Sequence, residues 1–449
     1  MNKEKLLVGY AKKDITPDFP VGLTGYGNEA SRLHEAVLDH IYGFCLAMTD
    51  GNGQTVLLYS ADLLLVNEQV AKAFCAAVAE ATGVPENHIL LAATHNHSAP
   101  NVTERELDWG VAYWKLFIRQ MVEAGREAMA DRTQASLETA VGATEKLCFT
   151  RHYINPDGSF FGDNFGTRQD PIAGHAGEPD EQFRLVRFLR EGRQDILLVN
   201  WQAHAKMCST ATSEFGKAHH KYLSADFIGY ARAALEEKTG DAVIYFSGAA
   251  GNLNPDSRIA EEAPPKEPEK VGSILADFVY KSLNDLRPIA SSEIICQWKK
   301  VTVPIDHSDD HKIELAKSIW AMWGSDPEGC KQRARAEGFH SAYAARDVIR
   351  RYESGVSREM SLATVCIGDL AFAAVPYEMF CENGKEIKEK SPFAATVILS
   401  CTNGYHKYIP SERAYSQGCY EVDSRLYPVG TAEKLAEILV SELQAARIS

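Results

Sequence analysis

Short apolar runs rich in Val, Ile and Leu alternate along this chain with longer amphipathic ones, and that rhythm constrains the fold more than any other feature. Residues 40–48 and 54–66 read as strands. Residues 67–83 then carry apolar positions at helical spacing and stop at Gly83. A strand follows at 88–95, a long helix at 107–130, and strands at 181–190, 195–204 and 241–248. Between the last two, Ser224 and Asp226 give a polar start to a helix over 224–240. Such alternation predicts an α/β protein: a layered mixed β-sheet with helices packed on it. No internal repeat and no low-complexity linker divides residues 1–449, so a single catalytic domain is expected. Residues 151–182, rich in Gly, Asp and Pro, read as one long functional loop. Residues 261–270 read as a solvated surface loop, and 307–354 as a charged, mostly helical insertion or cap.

The chain has 47 Lys and Arg against 61 Asp and Glu, a formal charge of −14. That is the wrong sign for tracking phosphates, so nucleic acid and anionic membrane surfaces are not expected partners, whereas a small-molecule substrate is. No stretch approaches the roughly 20 apolar residues of a membrane span, and the N-terminal apolar run is too short for a signal-peptide core. Ten scattered cysteines without a C-x-x-C pair fit reduced, buried thiols in a cytoplasmic protein. Oligomeric state is not legible.

Five strand-like runs end in residues of catalytic type: "HILLAAT" in His95, Asn96 and His97, "DILLVNWQA" in His204, "DAVIYFSG" in "AAGNLNPD", "DLAFAAVP" in Tyr377 and Glu378, and "ATVILSC" in "TNGYHKY". Ligands in open α/β sheets bind beyond the carboxyl ends of strands. On an extended backbone His95 and His97 would face the same side, about 6.6 Å apart at Cα, one able to bind a metal while the other reaches a substrate. Catalytic zinc takes three protein ligands and leaves a position open. Two histidines and a carboxylate, His95, His204 and Glu378, would supply them.

Six segments in order resemble the neutral (non-lysosomal) ceramidase family: "ATHNHSAPN", "NWQAHAKM", "SADFIGYA", "AAGNLNP", "VPYEMF" and "NGYHKYIPSERAYSQGCYE". The resemblance spans nearly the whole chain and implies the family's catalytic domain without its C-terminal one. It implies zinc held by His95, His204, Glu378 and Tyr408, with a metal-activated water as nucleophile. His97 would be general acid or base with a pKa near 6.5. Tyr420, twelve residues after Tyr408, would bond the developing oxyanion with help from Arg151. The implied reaction is hydrolysis of an amide between a fatty acid and an amino alcohol. Asn252 and Asn254 stand where the family turn has Asp and Ser, and Tyr377 replaces a glycine. These departures touch the pocket rather than the metal set.

They leave a second reading open, a zinc enzyme acting on a small polar or carbohydrate substrate as deacetylase, esterase or glycoside-cleaving enzyme, with Asn252, Asn254 and Asn101 binding hydroxyls. A third is a binding protein that has lost catalysis.

Overall fold

The computed structural model describes residues 6–26, 31–163, 165–210, 213–290 and 293–448. Its larger sheet runs in the order Ala242–Ser247, Ile196–Trp201, Gln182–Arg190, Thr133–Ala143, Leu6–Asp14, Tyr42–Thr49, Thr55–Ala61 and Ile89–Ala93, with Arg287–Ile289 added beside Thr133–Ala143. The outer pair at each end is parallel and the strands between them are antiparallel. This arrangement bears out the expected mixed sheet.

The sheet curls until its two ends touch. Ser247 Oγ donates to Thr94 O at 2.7 Å, and Ser60 Oγ donates to Tyr245 O at 2.5 Å. The carboxyl ends of Ile89–Ala93 and Ile196–Trp201 thereby come to one place. A second sheet, Ile294–Pro304, Ser357–Ile367, Leu370–Ala374 and Ala395–Leu399, packs on the first. Buried Asn200 joins the two: its Nδ2 donates to Ile398 O at 2.9 Å and its Oδ1 accepts from Ile398 N at 3.2 Å.

The period-2 pattern explains why the central strands are apolar on both faces. Phe44, Leu46 and Met48 point into the layer between the sheets, where they meet Val365, Phe372 and Val397. Their neighbours Cys45 and Ala47 face Phe74, Phe117 and Met121 of helices Glu68–Thr82 and Asp108–Ala130. On the far side of the second sheet, Ala371, Ala373 and Ile398 pack against Leu435, Leu439 and Leu443 of helix Thr431–Ile448. The result is four layers: helix, sheet, sheet, helix. Each fully buried large aliphatic or aromatic side chain contributes about 1.5–3 kcal/mol. Gly83 ends its helix in the left-handed conformation (φ 75°), as its position predicts.

Residues 151–182 differ from expectation. Short strands His152–Ile154, Phe160–Gly162 and Gly174–His175 form a small sheet there, because Tyr153 and Phe161 stack and stay buried. Alternation over so few residues is too brief to register as a strand signal. Within 307–354 lie helices Ile313–Trp320, Pro327–Ala336 and Ala342–Glu353, which share a small core of Ala316, Ile319, Cys330 and Ala345. All ten cysteines are free and only Cys296 is not fully buried. No helix among the described residues is long and apolar enough to cross a membrane.

Candidate metal centre

Beyond Ala93 the backbone leaves the sheet. Thr94 N still bonds Ala61 O at 2.9 Å and Asn96 N bonds Leu63 O at 3.0 Å, but between them His95 adopts φ 61°. The extended geometry expected for His95 and His97 is therefore overturned. They meet, with ring centroids 5.1 Å apart, because the chain turns. His97 N donates to Ala205 O at 2.8 Å, which stitches this turn to the segment carrying His204. From the second sheet, Glu378 lies directly opposite Tyr408 in a short parallel pair. Four of the seven non-glycine residues with positive φ among those described sit in these converging segments: His95, Cys401, Asn403 and Lys407. Each such conformation costs about 1–3 kcal/mol, and strain of this kind gathers at functional sites.

The hydrogen bonds of the two histidines fix their tautomers. His95 Nδ1 lies 3.0 Å from Leu64 O, and His204 Nδ1 lies 2.8 Å from Ala250 O. A carbonyl only accepts, so each Nδ1 carries a proton, and in the neutral ring Nε2 is the nitrogen left to bind a metal. Glu378 Oε2 lies 3.0 Å from His95 Nε2 and 3.3 Å from His204 Nε2. Three buried acceptors thus face one point, and neither His95 Nε2 nor Glu378 Oε2 has a hydrogen-bond partner. Tyr408 Oη is 3.4 Å from His204 Nε2. Tetrahedral zinc with bonds of about 2.0–2.1 Å separates its ligand atoms by about 3.3–3.4 Å. The donor set and its spacing fit a divalent ion. The nitrogens of His95, His97 and His204 also lie within 4.8 Å of one another.

Charge behaves accordingly. Burial favours neutral Glu378, but the neighbouring His95 and His204 outweigh it and hold the carboxyl well below its ordinary range. Burial likewise opposes a charged His95, yet Glu378 raises it to about 10; a proton is what the point between them attracts when no metal is there. His204 falls to about 4 through burial and the charge of Arg151. His97 does not keep a value near 6.5. Burial, followed by His95 and His204, pushes it well below, and neither of its ring nitrogens has a partner.

Around this centre Tyr405 Oη donates to Glu378 Oε1 at 2.6 Å. Arg151 lies over the Tyr408 ring, 5.3 Å from its centroid, donates to Gly251 O at 2.9 Å, and forms an ion pair with buried Glu421. Glu421 also bonds His152 Nε2 at 2.8 Å. Tyr420 meets Tyr408 edge-on at 6.0 Å. His95, His97, His204, Glu378, Tyr408, Tyr420 and Arg151 are thus brought together. Asn252 and Asn101 are engaged elsewhere: Asn252 with Glu382 and the Cys381 amide, Asn101 with Thr103. Asn254 donates to Asp163 at 3.2 Å. Tyr377 turns away from the centre into the helix-side core. The sequence pattern does not single out Tyr405, Glu421, Lys206 or Asp163. Tyr405 and Glu421 fall within the tyrosine-rich segment, Lys206 within "NWQAHAKM" and Asp163 within the Asp-rich loop, but nothing local marks these residues further.

Fold and centre together define a layered α/β domain with a candidate metal centre, and its fold is similar to that of solved ceramidases. The chain superposes on the neutral ceramidase from Pseudomonas aeruginosa with a TM-score of 0.73 at 17% identity, covering 99% of this chain and 75% of that one. It superposes on a ceramidase complexed with C2 with a TM-score of 0.72 at 16% identity, over the same shares of each chain. No protein-family profile and no curated protein sequence matches it.

Proposed function

We propose that this chain is a zinc-dependent hydrolase of amides, with His95, His204, Glu378 and Tyr408 holding the ion. The observation that carries the reading is the convergence of two imidazole Nε2 atoms and one carboxylate oxygen on a buried point, with the Nδ1 of each imidazole held by a backbone carbonyl. Nitrogen and oxygen donors at tetrahedral spacing suit zinc. Zinc bound there supplies Lewis acidity, lowering the pKa of water toward neutrality and polarising a carbonyl. The likeness to two ceramidases supports an amide as the scissile bond.

The chain's own groups divide the remaining work. His97, neutral and without a hydrogen-bond partner, takes up a proton beside the centre. Its depressed pKa makes it a strong acid once charged, suited to protonating a departing amine. Tyr420, whose hydroxyl burial raises to about 12, stays a phenol and donates a hydrogen bond to the developing oxyanion. Arg151, anchored by Glu421 and Gly251, adds positive charge on that side. Helix Ala342–Glu353 belongs to a cap: Asp347 lies 4.0 Å from Lys407 Nζ and Arg350 donates to Ser424 O at 2.5 Å, both within the tyrosine-rich stretch and its continuation. Ten free thiols support a reducing, cytoplasmic setting.

The test is metal content. Purified wild type is expected to hold about one zinc per chain, and His95→Ala and His204→Ala to lose it together with release of amine from N-acyl amines. Stoichiometric zinc surviving both substitutions overturns the reading.

A further inference from the structure

We infer that the flank of the site between Arg151 and His97 is a hydroxyl-reading subsite, so that the substrate's amine half is a compact polyol rather than a long alkyl chain. This rests on the hydrolase reading above and names its substrate class.

The flank is built from charged groups, of which Lys206 is almost fully buried while Asp163, Asp256 and Arg258 are partly exposed. Lys206, two residues after His204 and 6% exposed, places Nζ 2.7 Å from Asp163 Oδ2 and 3.7 Å from Asp256 Oδ1. Asp163 Oδ1 accepts from Arg258 Nη2 at 2.8 Å. Both ends of this network reach the centre. Lys206 follows His204 by two residues, and Asn254 lies opposite Phe149, two residues before Arg151, in a short antiparallel pair. Tyr26 stands edge-on to the His97 ring at 5.5 Å and is 41% exposed, joining the buried histidine to the surface.

Within the network one acceptor is left over. Asn254 is 1% exposed, and its Nδ2 faces Asp163 Oδ2 at 3.2 Å. Turning the amide over would set oxygen against carboxylate, so Asp163 fixes the orientation. Asn254 Oδ1 is then a buried acceptor with no donor, and both nitrogens of His97 are likewise without partners. Such groups are costly to leave unmade, and a ligand that completes them gains the difference. A hydroxyl both donates and accepts. Neighbouring hydroxyls on one small skeleton could therefore satisfy Asn254 Oδ1 and Asp163 as acceptors while receiving from Lys206. An alkyl chain in the same place would leave Asn254 Oδ1 and the His97 nitrogens unpaired and return no hydrogen bond to the charged groups beside it.

The experiment compares two amides of equal ring size, N-acetylglucosamine and N-acetylcyclohexylamine, with zinc-loaded full-length protein. Expected is a kcat/KM about 100-fold or more higher for the hydroxylated amide, since a site built for hydrogen bonds rejects analogues that lack them. Asn254→Ala and Lys206→Met should each narrow that ratio by about fivefold or more, the loss of roughly one hydrogen bond, with zinc content unchanged. Equal or faster turnover of the cyclohexyl amide, or a ratio unmoved in both variants, overturns the inference. If zinc is bound but neither amide is cleaved, it is the amide-hydrolase reading that fails. Calorimetry with glucosamine and cyclohexylamine then judges the subsite alone: tighter binding of glucosamine supports it, and no preference between the two refutes it.

Discussion

Replacing Glu421 by Gln removes one charge from a buried cluster while keeping the shape of the side chain. Glu421 is almost fully buried, ion-paired with Arg151 and bonded to His152 Nε2 at 2.8 Å. Burial works against its charge, but Arg151 and then His152 outweigh it, so its pKa falls from 4.5 to about 2. At 1.36 kcal/mol per pKa unit, that fall corresponds to about 3 kcal/mol of native-state stabilisation at neutral pH. Breaking a buried pair by removing one partner costs about 3–5 kcal/mol, an independent route to the same size. The sign follows from the depressed folded value: the contribution is complete above about pH 4.5 and fades as pH falls toward 2. At pH 3.5 the linkage relation leaves about 2 kcal/mol. Equilibrium urea denaturation of wild type and Glu421→Gln at both pH values measures the two differences. A loss under about 1 kcal/mol at pH 7, or a gap that widens on acidification, would refute this account of Arg151's anchorage.

Other expectations concern the centre itself. Tyr405→Phe removes the phenol that donates to Glu378 Oε1 at 2.6 Å, and should weaken zinc affinity about 10–100-fold in a competitive chelator titration. Gly25 has φ +109°, and a Cβ there would lie 2.4 Å from His97 Nδ1. Gly25→Ala should therefore displace His97 and lower kcat/KM by about 100-fold while zinc, measured by elemental analysis, stays bound. Stripping zinc with a chelator should cost about 2.7 kcal/mol of stability relative to protein in free zinc at 100 times its Kd, read as a lower melting temperature that zinc restores.

Residues that announce themselves by type and local pattern are legible in the sequence. "HILLAATHNH" shows an apolar strand delivering two imidazoles, and Gly83 and Gly240 close helices where the apolar period stops, both in the left-handed conformation. His204 and Glu378 are visible for the same reason, each ending a strand-like run. Tyr405 is not, because nothing local separates a tyrosine that bonds a carboxylate from one that fills a core. The backbone carbonyls of Leu64 and Ala250, which set the tautomers of His95 and His204, are beyond reach because every residue carries a carbonyl.

Local pattern therefore dictates the elements and the identity of the side chains at their ends, since hydrophobic period and helix-stop residues act over a few positions. That those ends meet is a matter of long-range packing. The curl that brings Ser247 to Thr94, the left-handed turn at His95, and the Lys206–Asp163 pair all depend on contacts between distant segments. Such contacts are chosen by the packing of whole layers, which no short stretch of chain encodes.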